Sequence, residues 1–159
     1  MFEGILFKTI LEQAIAAEER AYRYYQQIAE KPEMKGAADL LTYLAGEELL
    51  HRIKLEELQR EGSAGKMLLK NIEIPEEPPP ISKKERRDVP LQEKRETVQT
   101  VLHAAFEKEK NAYSRYSSIG NSLSGKKQEG LFRLLANEEK KHMDLIAEYL
   151  KNTDSYADS

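Results

Sequence analysis

A single register runs through this chain of 159 residues: the second half repeats the first, 91 positions later. Glu18, Ala21, Tyr22 and Tyr25 recur as Glu109, Ala112, Tyr113 and Tyr116. Glu47, Glu48 and His51 recur as Glu138, Glu139 and His142, and Leu11, Leu44 and Ala45 as Leu102, Leu135 and Ala136. One offset kept across two periodic stretches and the turn between them marks a duplicated helical hairpin. Whatever one copy buries, the other is expected to bury at the same depth.

Both copies are rich in Ala, Leu, Glu, Lys, Gln and Arg, which favour helix. The segment between them, 62–90, is different. It opens with Gly62 and Gly65 and carries Pro75, Pro78, Pro79, Pro80 and Pro90, which stop any helix that enters it. The pattern predicts helices over about 3–30, 33–60, 91–121 and 126–151. Together they form one bundle domain over 1–152, followed by a polar tail over 153–159.

Apolar residues recur at alternating spacings of three and four, the period of one helix face. The four stripes are Leu11, Ile15, Glu18, Tyr22, Tyr25, Ala29; Leu41, Leu44, Glu48, His51, Leu55, Leu58; Val98, Leu102, Phe106, Glu109, Tyr113, Tyr116; and Leu135, Glu139, His142, Ile146, Tyr149. Each is interrupted at its middle by a carboxylate, and two of them also by an imidazole. Burying such groups is costly unless something compensates them. The same costly choice, made four times at one depth, points to one shared site.

Glu48 and His51 are three residues apart, hence ~60° apart around a helix and ~4.5 Å along it, so both address one point. Glu139 and His142 repeat that geometry, and Glu18 and Glu109 approach singly from the other two helices. Four carboxylates and two imidazoles at mid-bundle match the ligand constellation of ferritin-like di-iron carboxylate bundles. Four ionised carboxylates balance two divalent cations, and without metal the like charges must protonate or strain the bundle. Oxygen-rich ligation with two imidazoles suits iron or manganese, and zinc also fits the same site. The expected arrangement has Glu48 and Glu139 bridging, Glu18 and His51 completing one metal position, and Glu109 and His142 the other.

Tyr22, Tyr25, Tyr113 and Tyr116 read as core aromatics, or alternatively as hydroxyls that hydrogen-bond metal-bound carboxylates. Glu19, Glu47 and Glu138 read as solvated face residues. His103 has no Glu three positions before it, and its repeat counterpart is Glu12, so it reads as surface.

Composition removes other classes. The chain has no Cys, so disulfides, thiolate zinc sites, Fe–S clusters and a cysteine nucleophile are excluded within it. A net charge of −3 with both signs interleaved gives no nucleic-acid footprint, and the run Lys83, Lys84, Arg86, Arg87 is broken by Glu85 and Asp88. No apolar run approaches the ~20 residues of a membrane span. Glu3 and the lack of a basic start or small-residue cleavage site argue against a signal peptide, so a cytoplasmic location is expected.

The length of 62–90 bears on topology. If the two hairpins are related by a two-fold perpendicular to the bundle axis, the second and third helices run parallel. The connection must then travel ~40 Å, the length of a helix of about 27 residues. An up-down-up-down bundle needs only ~2–8 residues there. The expected fold is therefore all-α, a ferritin-like four-helix bundle with a long crossover between helices 2 and 3. Such a hinge also permits a homodimer with swapped hairpins.

The duplicated Glu-x-x-Ala-Tyr-x-x-Tyr and Glu-x-x-His pairs across a long crossover resemble the rubrerythrin-like branch of the ferritin-like superfamily, over about residues 3–150. The resemblance implies metal ligands at Glu18, Glu48, His51, Glu109, Glu139 and His142, and a metal pair that reacts with hydrogen peroxide or dioxygen. Rubrerythrin proper adds a Cys-ligated iron domain and a further carboxylate three residues after the third-helix Glu. Here there is no Cys, and that position is Ala112. Electrons are thus expected from an external donor protein. The six-ligand set is like that of bacterioferritin-like members. The leading expectation is a non-haem di-iron oxidoreductase. Two alternatives stand beside it: a ferroxidase serving iron storage or delivery, and a non-enzymatic metal-buffering module.

Overall fold

The computed structural model describes residues 2–61, 93–123 and 126–154. They form α1 (Phe2–Ala29), a 3-10 turn (Pro32–Met34), α2 (Ala38–Glu61), α3 (Glu93–Ser122) and α4 (Lys126–Asp154), with no strand among the described residues. The crossover expected over 62–90 lies outside the described residues, as do Ser124, Gly125 and the end of the chain from Ser155. The chain divides into two compact units at Pro80/Ile81, one built on α1 packed against α2, the other on α3 packed against α4.

In the first unit, Pro32 ends what α1 begins. Lys31 before it is extended, at φ −72° and ψ 134°, as the proline ring requires of its predecessor. Two buried side chains, Met34 and Ala37, then pin the turn to the core. The Ala37 N–H donates to the Met34 carbonyl at 2.8 Å, and the Leu41 N–H to the Ala37 carbonyl at 2.9 Å, which starts the α2 ladder. The second helix therefore begins at Ala38 rather than near 33, because Pro32 lacks the N–H that a continuing helix needs. At the other end of the chain, α4 runs further than expected. Thr153 and Asp154 belong to the helix rather than the tail, and the Thr153 hydroxyl donates back to the Leu150 carbonyl at 2.7 Å.

The stripes of α2 and α4 are buried as their periodicity predicts. Those of α1 and α3 are turned slightly. Ala14 and Ala105, repeat counterparts of each other, are buried, whereas Ile15, Tyr22, Phe106 and Tyr113 are half-buried. The small side chains occupy the ridge, where two helix backbones approach, and the bulky ones flank it. Tyr25 and Tyr116 are fully buried. Tyr25 packs edge-on against Tyr24 at 5.5 Å between centroids, and Tyr116 lies 5.8 Å from Phe132. Beside that pair α3 and α4 come close: a Cβ added at Gly120 would sit 3.5 Å from Arg133 Cγ and 3.7 Å from Phe132 Cβ.

Gly130, exposed within α4, has nothing within 4 Å of an added Cβ. Gly130→Ala is expected to stabilise the fold by about 0.5–1 kcal/mol, the usual gain from removing backbone freedom in a helix. Chemical denaturation checks this, with a higher midpoint and an unchanged slope.

Candidate metal centre

Each hairpin assembles a triad of its own. In the first, α1 supplies Glu18 and α2 supplies Glu48 and His51, with His51 Nδ1 3.8 Å from Glu18 Oε1 and 3.8 Å from Glu48 Oε2. In the second, α3 supplies Glu109 and α4 supplies Glu139 and His142, with His142 Nδ1 3.5 Å from Glu109 Oε2 and 3.2 Å from Glu139 Oε2. All six side chains are at most 3% exposed as residues. Helical spacing brings the Glu and His of α2, and of α4, onto one face. Hairpin packing brings the lone Glu of the partner helix to the same point.

These separations fit a cation. Metal–oxygen and metal–nitrogen bonds of ~2.0–2.2 Å allow two ligands of one ion to lie up to ~4.4 Å apart. Within each triad, one ligand atom per residue can be chosen so that all three lie within 4.8 Å of one another. The donors are carboxylate oxygen and imidazole nitrogen, the set that suits iron and manganese. The environment also shows why something must neutralise them. Burial pushes the Glu109 carboxyl up to about 8 from an ordinary 4.5, reinforced by the charge of Glu139 and a hydrogen bond with it, while His142 opposes the shift. In the metal-free protein Glu109 thus carries a proton where a cation would otherwise sit.

The first hairpin is braced beside its triad. The Arg52 guanidinium donates to Glu19, linking the residue after His51 to the residue after Glu18. Arg23 Nε donates to the other oxygen of Glu19 at 2.7 Å, and Arg52 also approaches Glu56 at 3.3 Å. Arg23 first, then Arg52, hold the Glu19 carboxyl below its ordinary range. Such a strap resists rotation of α1 against α2 at the depth of the ligands. The second hairpin has Lys110 and Met143 at the matching positions.

The structure corrects one expectation. Glu47 is not on a solvated face: it is 3% exposed, whereas its counterpart Glu138 is half-buried. Its stripe through positions 47, 51, 54 and 58 lies beside the ligand stripe on the wide buried arc of α2. Lys54, on that same stripe and 2% exposed, was not singled out from the sequence. The repeat held a signal, since Lys54 stands where the second copy has Leu145. A lysine aligned with an apolar counterpart is a candidate buried charge. His103 is exposed, as expected, and Glu19 is half-buried within its ion pairs. Among the described residues, no helix is long and apolar enough to cross a membrane.

The sequence profile described as Rubrerythrin matches this chain over residues 9–99 and 100–158. A solved structure of a hypothetical protein from Pyrococcus furiosus superposes with a TM-score of 0.69. It is 22% identical and the match covers 94% of this chain and 90% of that one, a likeness that supports the all-α bundle fold. No curated protein matches the chain.

Proposed function

This chain belongs to the rubrerythrin family, and on that premise we propose that its two triads together hold a pair of iron ions and that it is a non-haem oxidoreductase, reducing hydrogen peroxide or dioxygen with electrons from an external donor protein. The observation that carries this reading is the duplicated Glu–Glu–His triad, buried in both hairpins and built from the same repeat positions. Glu18, Glu48 and His51 would bind one ion and Glu109, Glu139 and His142 the other.

When bound, a ferrous pair supplies the two electrons that, with two protons, convert hydrogen peroxide to two waters, and the donor returns them. The chain's own residues set the conditions for that exchange. The carboxylates neutralise the cations and change coordination readily, and the imidazoles hold their positions through the α2 and α4 backbones. Leucine and tyrosine packing around the triads keeps bulk water from the charged groups, which strengthens their hold on a cation. Tyr25 and Tyr116, about two turns beyond Glu18 and Glu109, are buried, and Tyr22 and Tyr113 are half-buried; their hydroxyls would serve as hydrogen-bond partners that orient those carboxylates. These 159 residues contain no Cys for a relay iron of their own.

Iron-loaded, reduced protein is expected to consume peroxide over many turnovers when a chemical reductant is supplied. His51→Ala and Glu139→Ala are expected to abolish that consumption. Equal rates in those variants would overturn the proposal. Ala112, in place of the additional acid of rubrerythrin proper, favours a second reading as a ferroxidase that passes oxidised iron on. Under that reading each site turns over once per pair of irons delivered, and the ferric product leaves the protein, which gel filtration of the reacted sample resolves.

A further inference from the structure

The two copies of the repeat differ most on the outer side of α2. At ~100° per residue, Gly46, Leu49, Leu50 and Ile53 share one arc of that helix, facing away from the core positions Leu44, Glu48 and Leu55. These four are half-buried, while Asp39 and Arg60, on the same side near the two ends of α2, are exposed. The second copy shows that a hairpin folds without this apolar arc. Its matching positions are Asn137, Lys140, Lys141 and Asp144, all exposed, although its core stripe stays apolar around the ligands. Aliphatic side chains kept on an outer face in one copy, and replaced by charge in the other, mark a surface that a partner covers.

The arc is complementary to itself. Let two copies of α2 cross antiparallel about a two-fold axis passing between Leu49 and Leu50. Residues equally far from that midpoint then face each other. Leu49 of each copy meets Leu50 of the other. Ile53 of each enters the space over Gly46 of the other, where an added Cβ would find nothing within 4 Å. At both rims Asp39 meets Arg60, a pairing of opposite charges. The same operation on α4 sets Lys140 against Lys141 twice, which is repulsive.

We infer that the outer face of α2 is a self-association surface, through which two copies of this chain pair antiparallel in that register. The interface is isologous, so every contact occurs twice and every substitution acts twice. A patch one helix long lies at the small end of specific interfaces, so the dimer is expected to depend on concentration. The inference stands apart from the metal-site proposal, because it concerns the opposite side of α2 and is tested without metal. It also differs from an exchange of hairpins, which does not require this face.

Sedimentation velocity of the metal-free full chain, over a wide range of concentration, is expected to show a reversible monomer–dimer equilibrium. Leu49→Lys together with Leu50→Lys installs the residues that α4 already carries. It is expected to raise the dissociation constant by more than ~100-fold, since central positions dominate an interface. Asp39→Arg alone, or Arg60→Asp alone, sets like charges together at both rims and is expected to weaken the dimer about ten-fold. The two combined exchange the charges and are expected to restore the parental constant. Such a rescue depends on this antiparallel register, and it keeps the test decisive if the lysine variant fails to fold, which circular dichroism reveals. A parent that stays monomeric overturns the inference. So does a dimer that survives in the folded lysine variant, or a combined charge variant that regains nothing its single variants lost.

Discussion

Stripping the metal from loaded protein with a chelator is expected to lower its melting temperature substantially, and Glu139→Gln is expected to remove that difference. A ligand that binds the folded chain and not the unfolded one stabilises it by about 2.7 kcal/mol at one hundred times its dissociation constant. For a chain of this size, each kcal/mol moves the melting temperature by roughly 2–4 °C. A drop on the order of 5–10 °C per tightly held ion follows. The triads explain why the coupling is strong, because neither exists in the unfolded chain: in each, the acid on one helix and the Glu–His pair on the other meet only after the hairpin has closed. Glu139→Gln also discriminates between a binding role and a packing role. It removes a ligand, and so the metal-dependent increment, but it also removes the charge that opposes ionisation of Glu109. The metal-free variant is therefore expected to be at least as stable as the metal-free parent. A side chain present only for packing would lose stability in both states. Paired thermal melts with and without chelator distinguish the two, and an unchanged melting temperature on chelation counts against a buried metal site.

The second large effect is on pH. Glu109 has its proton affinity raised by burial first, then by the charge of Glu139 and the hydrogen bond with it, to about 8 from 4.5 in the unfolded chain. Below the lower value folded and unfolded chains both carry this proton, and above the higher value neither does. Between them the folded chain holds more protons, so the metal-free protein is expected to lose stability as pH rises from about 5 to about 8. The slope from this one group approaches about 1.4 kcal/mol per pH unit. Glu109→Gln is expected to flatten it. Metal reverses the trend. A carboxylate must be ionised to bind, so loading displaces the proton from Glu109, and apparent affinity rises with pH over the same range. Denaturation midpoints at three pH values, with and without metal, give both slopes. A metal-free stability that climbs between pH 5 and 8 would contradict the assignment of this proton to the folded site.

Both expectations come from residues visible in the sequence, yet only part of each argument was available there. The identity of the six candidate ligands followed from periodicity: a carboxylate breaking an apolar stripe is a local, countable event, and the 91-residue offset counted it twice. The helix boundaries were less legible. Composition spoke for helix from near 33, but the missing N–H of Pro32 and the burial of Met34 delayed α2 to Ala38. The buried ridge of α1 and α3 was also misplaced by one position, since Ile15 and Phe106 look better suited to a core than Ala14 and Ala105. Periodicity weighs side chains by their hydrophobicity, whereas two packed helices sort them by size at the line of closest approach.

Glu47 and Glu138 mark where sequence reasoning stops. They occupy one repeat position, precede the same ligand pair and have the same intrinsic chemistry, yet one is buried and the other half-exposed. By itself the sequence determined four helices, a duplicated hairpin, and which acids and imidazoles share a helix face, because these depend on spacing along the chain and on the 3.6-residue turn. Only the tertiary structure decided which neighbouring acid is excluded from water, how near each lone glutamate comes to the histidine on the partner helix, and where a proton is retained. Those depend on desolvation and on charges a few ångströms away through space, and such distances are set by packing.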